Sequence, residues 1–371
     1  MKMKDLKKKI SKKIKSFGFD VLGFAKPIVE EKTKKQYLDF LNKNHHGEMR
    51  WLERHFEKKI NPKKVWDKVK SIIVIGYNYS PEKNPLIVNK EKNVANISVY
   101  AQNQDYHDVI KKKLRKIQFW LEEECKIESK VFVDTSPILE KYFAQKANLG
   151  WQGKHTNLVS KTYGSWLFLS EIFLSIEIKN DLEESSNCGT CNECQEICPT
   201  NALLNAYKIN ARKCISYLTI EYKGPIPLGL RRKIGNKVYG CDDCLSICPW
   251  NKFSKKTNEP AFLSQDNKKN FAFFLRFDNK KFKEYFANSP IKRIGWLRFL
   301  RNIIIATGNS KNKNIENDLY KYLYHENPII RASCIWSLNQ ILDKKRIEKI
   351  KKEVLKKEKN RYVLFELSMI N

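Results

Sequence analysis

No apolar run in these 371 residues is long enough to cross a bilayer, which takes about 20 consecutive apolar residues. The nearest candidate, 166–178 (WLFLSEIFLSIEI), is broken by Glu171 and Glu177 and reads as a buried strand. The basic N-terminus, MKMKDLKKKISKKIKSFGF, places Leu and Ile at helical spacing among lysines. It lacks the continuous apolar stretch and small-residue cleavage site of a signal peptide. A cytoplasmic protein with no membrane association is expected, and in a reducing compartment ten clustered cysteines point to metal rather than disulfides. Acidic residues are scarce as well: 41 Asp and Glu against 71 Lys and Arg leave a net charge of +30. A field of that sign favours polyanionic partners, nucleic acid first, while a merely solvated lysine-rich surface is the plainer reading. With 42% hydrophobic and 30% charged residues the composition is globular, and the length suits two or three domains.

The expected class is α+β or α/β, in three consecutive parts. Residues 1–180 read as mixed α/β: Ser71–Tyr77 (SIIVIGY) and Lys130–Asp134 (KVFVD) are β-branched runs of the buried-strand kind. Between them Ile110, Leu114, Ile117 and Leu121 mark one face of a helix that follows Asp105-Tyr106-His107-Asp108. Pro137 opens a further helix ending near Gly150. The charged, Ser-bearing stretch Lys179–Asn187 reads as a linker into a cysteine region spanning 181–260. Residues 261–371 carry helical patterning and an internal echo: Pro290-Ile-Lys-Arg293 and Pro328-Ile-Ile-Arg331, 38 residues apart, each precede an apolar helix. That period fits a HEAT-like repeat, with Arg293 and Arg331 either bonding within the repeats or facing a ligand.

The cysteines are the most specific signal. Cys188-x2-Cys191-x2-Cys194-x3-Cys198-Pro199 is a complete bacterial-ferredoxin run, whose fourth thiolate reaches over to the other cluster. The second run, Cys241-x2-Cys244-x3-Cys248-Pro249, has Val238 where its opening cysteine belongs, and upstream Cys214 fills the vacancy. Cys188, Cys191, Cys194 and Cys248 then hold one [4Fe–4S] cluster, and Cys198, Cys214, Cys241 and Cys244 the other. Paired C-x2-C also builds zinc ribbons, but zinc explains neither the two C-P endings nor a total of eight. Cys125 and Cys334, inside helical patterns, are expected to be inert buried thiols.

An electron relay leaves most of the chain unexplained, and 131–157 (VFVDTSPILEKYFAQKANLGWQGKHTN) has the character of a site. Asp134 ends a strand before a Pro-initiated helix, and the Lys154-His155-Thr156 cluster follows two glycines. Asp134 is either a general acid, a role that desolvation favours, or an N-cap of the next helix.

The stretches VDTSPILEKYFAQKANLGWQGKHTN, CGTCNECQEICPTNA, ARKCISYLTIEYKGPIP and IGNKVYGCDDCLSICPWN resemble the epoxyqueuosine reductases, as do HHGEMRWLERH and YAQNQDYH. Together they cover most of 15–251, and the P-x-x-R helices resemble that family's C-terminal HEAT-like region. The resemblance implies a cobalamin-binding α/β domain similar to that of reductive dehalogenases. It implies reduction of the epoxide of epoxyqueuosine, at the tRNA wobble position, to queuosine. Electrons would pass from an external low-potential donor through both clusters to cobalamin. Asp134 matches the family's proton donor. No D-x-H-x-x-G motif supplies a histidine to cobalt, and the family holds its corrin without one. Lys154, His155 and Thr156, with Ser216 and Tyr217 beside Cys214 and Asp242 between Cys241 and Cys244, are expected near the corrin. Lys223, Arg231, Arg232 and Lys233 flank the second cysteine run as tRNA-backbone contacts, in a protein expected to be monomeric. The rival readings are a dehalogenase-like cobalamin enzyme acting on a small molecule, and a non-catalytic electron carrier or assembly factor.

Overall fold

The computed structural model describes residues 3–263 and 268–370. The chain forms two compact units, each drawn from three separate stretches. Unit 1 comprises Met1–Glu82, Asn103–Arg212 and Asp243–Ser264, and unit 2 comprises Lys83–Gln102, Lys213–Asp242 and Gln265–Asn371. The three consecutive domains expected at 1–180, 181–260 and 261–371 are therefore interleaved instead. Long-range pairing is the cause. Within unit 2, Asn96–Ile97 pairs in parallel with Lys237–Tyr239. Within unit 1, Glu259 takes an ion pair from Lys113 at 2.8 Å and a hydrogen bond from Tyr77.

Unit 1 is built on a four-stranded antiparallel sheet of β1 (Val21–Ala25), β2 (Ser71–Asn78), β3 (Ser129–Phe132) and β4 (Leu167–Leu174), in the order β1-β2-β4-β3. β2 is buried along its whole length, as its continuous apolar run demands. Helices α1 (Met3–Ser16), α2 (Tyr106–Cys125) and α3 (Glu140–Lys146) pack against the sheet. α2 packs on β3 and β4 and buries the expected stripe of Ile110, Leu114, Ile117 and Leu121. α3 contributes Tyr142, Phe143 and Ala144 to a core with Val74, Leu169 and Phe173. Gly23 admits the turn after α3, because a Cβ there would lie 1.8 Å from the Ala147 carbonyl oxygen. That helix is shorter than the sequence suggested, starting at Glu140 rather than Pro137. The segment read as a linker is instead tied down: Asp181 accepts from the Phe24 N–H at 2.8 Å and pairs with Lys7 at 2.6 Å.

The helices of unit 2 include α4 (Ile215–Ile220), α5 (Leu228–Ile234), α6 (Gly295–Ser310), α7 (Pro328–Ile341) and α8 (Arg361–Ser368). α6 packs on α7 and α7 on α8, around Phe299, Ile303, Cys334, Ile335, Leu338, Val363 and Leu367. The proline echo is partial. Pro328 lies in the first turn of α7, which Asn327 caps, whereas Pro290 starts a 3-10 turn that reaches α6 through Gly295 at φ +73°. Both repeat arginines bond within the protein: Arg293 pairs with Glu221 at 3.0 Å, and Arg331 grips Glu358 at 2.7 and 3.0 Å. Cys334 is buried as expected, while Cys125 ends α2 only half-buried.

Candidate active site

The chain leaves β3 at Phe132 and turns sharply at Asp134, whose φ of +49° lies in the left-handed region that Asp and Asn tolerate best among residues with a side chain. Its backbone N–H donates to Glu140 Oε1 at 2.7 Å. Its carboxylate Oδ2 accepts from the Tyr106 hydroxyl at 2.6 Å and lies 3.3 Å from His107 Nε2. The other ring nitrogen of His107 sits 2.7 Å from Asp105 Oδ1, and the same Asp105 oxygen caps α2 by accepting from His107 N–H. Burial opposes a charge on His107, but its bonds to Asp105 and Asp134 outweigh burial and raise its pKa to about 9. The Tyr106 ring is stacked between His107, at 4.0 Å, and Phe168 of β4, at 4.2 Å. Asp134 keeps 57% of its side chain exposed, so a substrate can reach the carboxylate from the open side. The capping alternative fails: the N-cap of α3 is Leu139, five residues beyond Asp134.

Beneath the turn lies a second acidic group. Glu171 of β4 faces Val74 on one neighbouring strand and Phe132 on the other, which aims it at the side that α3 covers. Burial, then the charge of Asp134, pushes Glu140 up to about 8, and burial together with Glu140 holds Glu171 well above the carboxylate range. Lys59, itself buried, donates to the Ile138 carbonyl at 3.3 Å and opposes both shifts. Burial and the mutual repulsion of the two carboxyls both favour their protonated forms.

Four of the expected cluster ligands come together in unit 1. Cys188, Cys191, Cys194 and Cys248 line a cavity of about 130 Å³, together with Asn187, Lys154, His155, Pro249 and Trp250. Burial, then the neighbouring Cys188, Cys248 and Cys191, pushes the Cys194 thiol up to about 11. The Trp151 indole N–H donates to Cys188 Sγ at 3.4 Å. Cys198 Sγ accepts from the Ala202 N–H at 3.3 Å. Cys244 belongs to unit 1, and Cys214 and Cys241 to unit 2.

The residues expected near a corrin are placed unevenly. Lys154 is turned to the cysteine loop, donating to the Gly189 and Cys191 carbonyls at 2.8 and 2.7 Å. His155 is enclosed, accepting from Asn157 N–H at 3.1 Å, and burial lowers its pKa to about 4. Thr156 occupies the left-handed region, and its carbonyl accepts from Lys141. Asp242 is buried, with Ser98 Oγ at 2.5 Å and Val99 N at 2.8 Å on its carboxylate. Tyr217 is buried in α4 and Ser216 half-exposed.

Of the expected tRNA contacts, Lys223, Arg232 and Lys233 are exposed, Arg232 with Gln340 at 2.8 Å. Arg231 is a correction: it is buried and paired with Glu366 of α8 at 2.6 Å, because α5 turns that face into the helical core. It cannot meet a phosphate there.

The family model described as epoxyqueuosine reductase QueG, DUF1730, matches residues 59–135, and that of a 4Fe-4S double cluster binding domain matches 187–251. The epoxyqueuosine reductase of Escherichia coli is 33% identical over 94% of this chain and 94% of its own. That of Cyclobacterium marinum is 38% identical over 79% of this chain and 94% of its own. The chain belongs to the epoxyqueuosine reductase family. A crystal structure of an epoxyqueuosine reductase with an epoxyqueuosine-modified tRNA-Tyr stem loop superposes with a TM-score of 0.91, at 28% identity over 99% of this chain and 98% of that one. A Bacillus subtilis family member, solved with its catalytic aspartate loop swung out of the active site, superposes at 0.90, with 27% identity over 99% and 98% of the two chains.

Within this family member, sequence reasoning singled out Asp134 but assigned no role to Tyr106, His107, Glu140, Glu171 or Trp151. The DYH triplet opening α2 was the available signal, since a helix start can aim a ring back at a neighbouring strand end. Nothing local marked Glu171, which sits in an apolar run.

Proposed function

We propose that this chain reduces the epoxide of epoxyqueuosine in tRNA to the cyclopentene of queuosine, with Asp134 delivering a proton to the departing oxygen. The observation that carries this reading is the Asp134 carboxylate. It is held from one side by Tyr106 and His107, open on the other, and located in a chain whose relatives bear that activity.

Loss of the epoxide oxygen as water consumes two electrons and two protons. Two [4Fe–4S] clusters supply electrons singly, one on Cys188, Cys191, Cys194 and Cys248 and the other, by spacing, on Cys198, Cys214, Cys241 and Cys244. Cobalamin, when bound, supplies a low-valent metal centre strong enough as nucleophile or reductant to open the epoxide. The residues present suit a corrin held without a histidine, because His155 is enclosed and His107 is engaged by two carboxylates. The protein's own part is protonic. His107 holds a proton against Asp134 Oδ2, so the carboxylate can take that proton from the imidazolium and pass it to the departing oxygen. Tyr106 fixes which oxygen receives it.

Exposed Lys223, Arg232 and Lys233, with the wider positive field, bind the tRNA backbone, and the wobble base leaves its stack to reach Asp134. The α6–α8 helices serve as the HEAT-like part of that surface. The deciding experiment is anaerobic turnover of epoxyqueuosine-containing tRNA with added cobalamin and a low-potential donor. Queuosine in the digested product is expected. Its absence from a protein carrying full iron and cobalamin rejects the assignment.

A further inference from the structure

The cysteine cavity of unit 1 carries two polar contacts that ligation alone does not need. Trp151 is completely buried, and its indole N–H, which must find an acceptor there, donates to Cys188 Sγ. Three residues on, Lys154 places its ammonium on the carbonyls of Gly189 and Cys191, both in the loop that Cys188 opens. Trp250 packs edge-on against Trp151 at 5.0 Å and donates to the Asn187 carbonyl, which fixes the indole's direction. The short β-ribbon pairing Trp151–Gln152 with Leu158–Val159 holds both donors over one cysteine loop.

We infer that Trp151 and Lys154 are tuning residues for the cluster on Cys188, Cys191, Cys194 and Cys248, raising its reduction potential so that it accepts electrons readily. The inference rests on the cluster assignment above. The physical reason is charge: reduction adds an electron to the cubane, and part of that charge appears on the cysteine sulfurs. A hydrogen bond to a sulfur and a cation against the ligand loop both stabilise the reduced form more than the oxidised one. The half-buried, largely apolar cavity acts in the opposite sense, because desolvation penalises the more negative state. The two donors offset that penalty at this cluster.

The test is an anaerobic potentiometric titration of the complete holoprotein, followed by electron paramagnetic resonance, with iron counted for each variant. Trp151→Phe keeps the ring and removes the N–H. Lys154→Met keeps the chain and removes the charge, while Lys154→Arg restores the charge. In each of the first two, the reduced-to-oxidised ratio of one cluster at a fixed applied potential should fall about tenfold, the scale of a charge-assisted hydrogen bond. The other cluster's signal should not move, and Lys154→Arg should restore most of the lost ratio. Unmoved potentials in fully iron-loaded variants overturn the inference. Loss of iron from Trp151→Phe together with an unshifted Lys154→Met also overturns it, since Trp151 then only builds the fold. A wild-type protein that binds no iron overturns the cluster assignment itself, and the tuning with it.

Discussion

The hydroxyl of Tyr106 donates to Asp134 Oδ2 at 2.6 Å, from a ring held between His107 and Phe168. This fixes the acid's orientation from a helix 28 residues earlier in the chain. Asn at 134 keeps the left-handed turn and an oxygen for Tyr106, but has no acidic proton. Asp134→Asn should therefore melt within about 1 kcal/mol of wild type, since no cap is lost. Queuosine formation should drop by about 10²–10⁴-fold, the usual worth of a general acid. Product analysis after an anaerobic single turnover, beside melting curves, checks both halves.

His107 gives that acid a pH limit. Its pKa is raised from 6.5 to about 9, so the imidazolium is present throughout the neutral range and is lost as pH climbs through about 9. Single-turnover rates should fall across that upper limb. His107→Gln should be slower at neutral pH and show no such limb, while Tyr106→Phe should lower the rate but keep the limb. A pH–rate series on the three proteins separates the two roles.

The cysteine count predicts about eight irons per chain after anaerobic purification, as two cubanes require. Cys214→Ala should cost most of one cluster and leave the Cys188 set occupied, because Cys214 belongs to the other four. Iron and sulfide analysis with electron paramagnetic resonance shows whether one signal survives.

Arg231 separates packing from tRNA binding. Its ion pair with Glu366 is buried on both sides, and removing one partner of such a pair costs about 3–5 kcal/mol. Arg231→Ala should therefore lower the melting temperature substantially. Arg232→Glu with Lys233→Glu should leave melting nearly unchanged, yet weaken tRNA binding and flatten its salt dependence. Melting curves and a salt series of tRNA affinities decide this.

What could be read from the sequence was what lies in local pattern. The β-branched run at Ser71–Tyr77, the α2 stripe and the spacing that brings Cys188, Cys191 and Cys194 together each encode their structure within a few residues. What escaped depends on partners far along the chain. Arg231 looked like a surface cation until Glu366 closed over it, and Glu171 looked like a break in an apolar run until β4 proved to be a central strand beneath α3. The Asp134 turn escaped for another reason: Pro137 suggested a helix start, but the chain first makes a left-handed turn whose N–H donates to Glu140. The interleaved units follow from pairings such as Asn96–Ile97 with Lys237–Tyr239, which no periodicity announces.

The Glu140–Glu171 pair makes the stability of the fold depend on pH. Burial raises Glu140 from 4.5 to about 8 and Glu171 well above 4.5, so the folded protein binds protons there more tightly than the unfolded chain. The stability this confers is fully present below the unfolded value and is lost as pH rises through the folded one. Between about pH 5 and 8 each such group can remove up to ~1.4 kcal/mol per pH unit, less where Lys59 compensates. Stability should therefore decline across that window, with the His107 contribution declining in the same direction and extending to about pH 9. Glu171→Gln removes one of the two titrating groups while keeping a polar group of the same shape that can donate to Glu140. It should flatten the slope between pH 5 and 8 and be more stable than wild type at pH 8. Chemical denaturation of both proteins at several pH values tests this. A wild-type stability that rises over the same window would show that the pair is ionised in the folded state, and that Lys59 rather than a proton neutralises it.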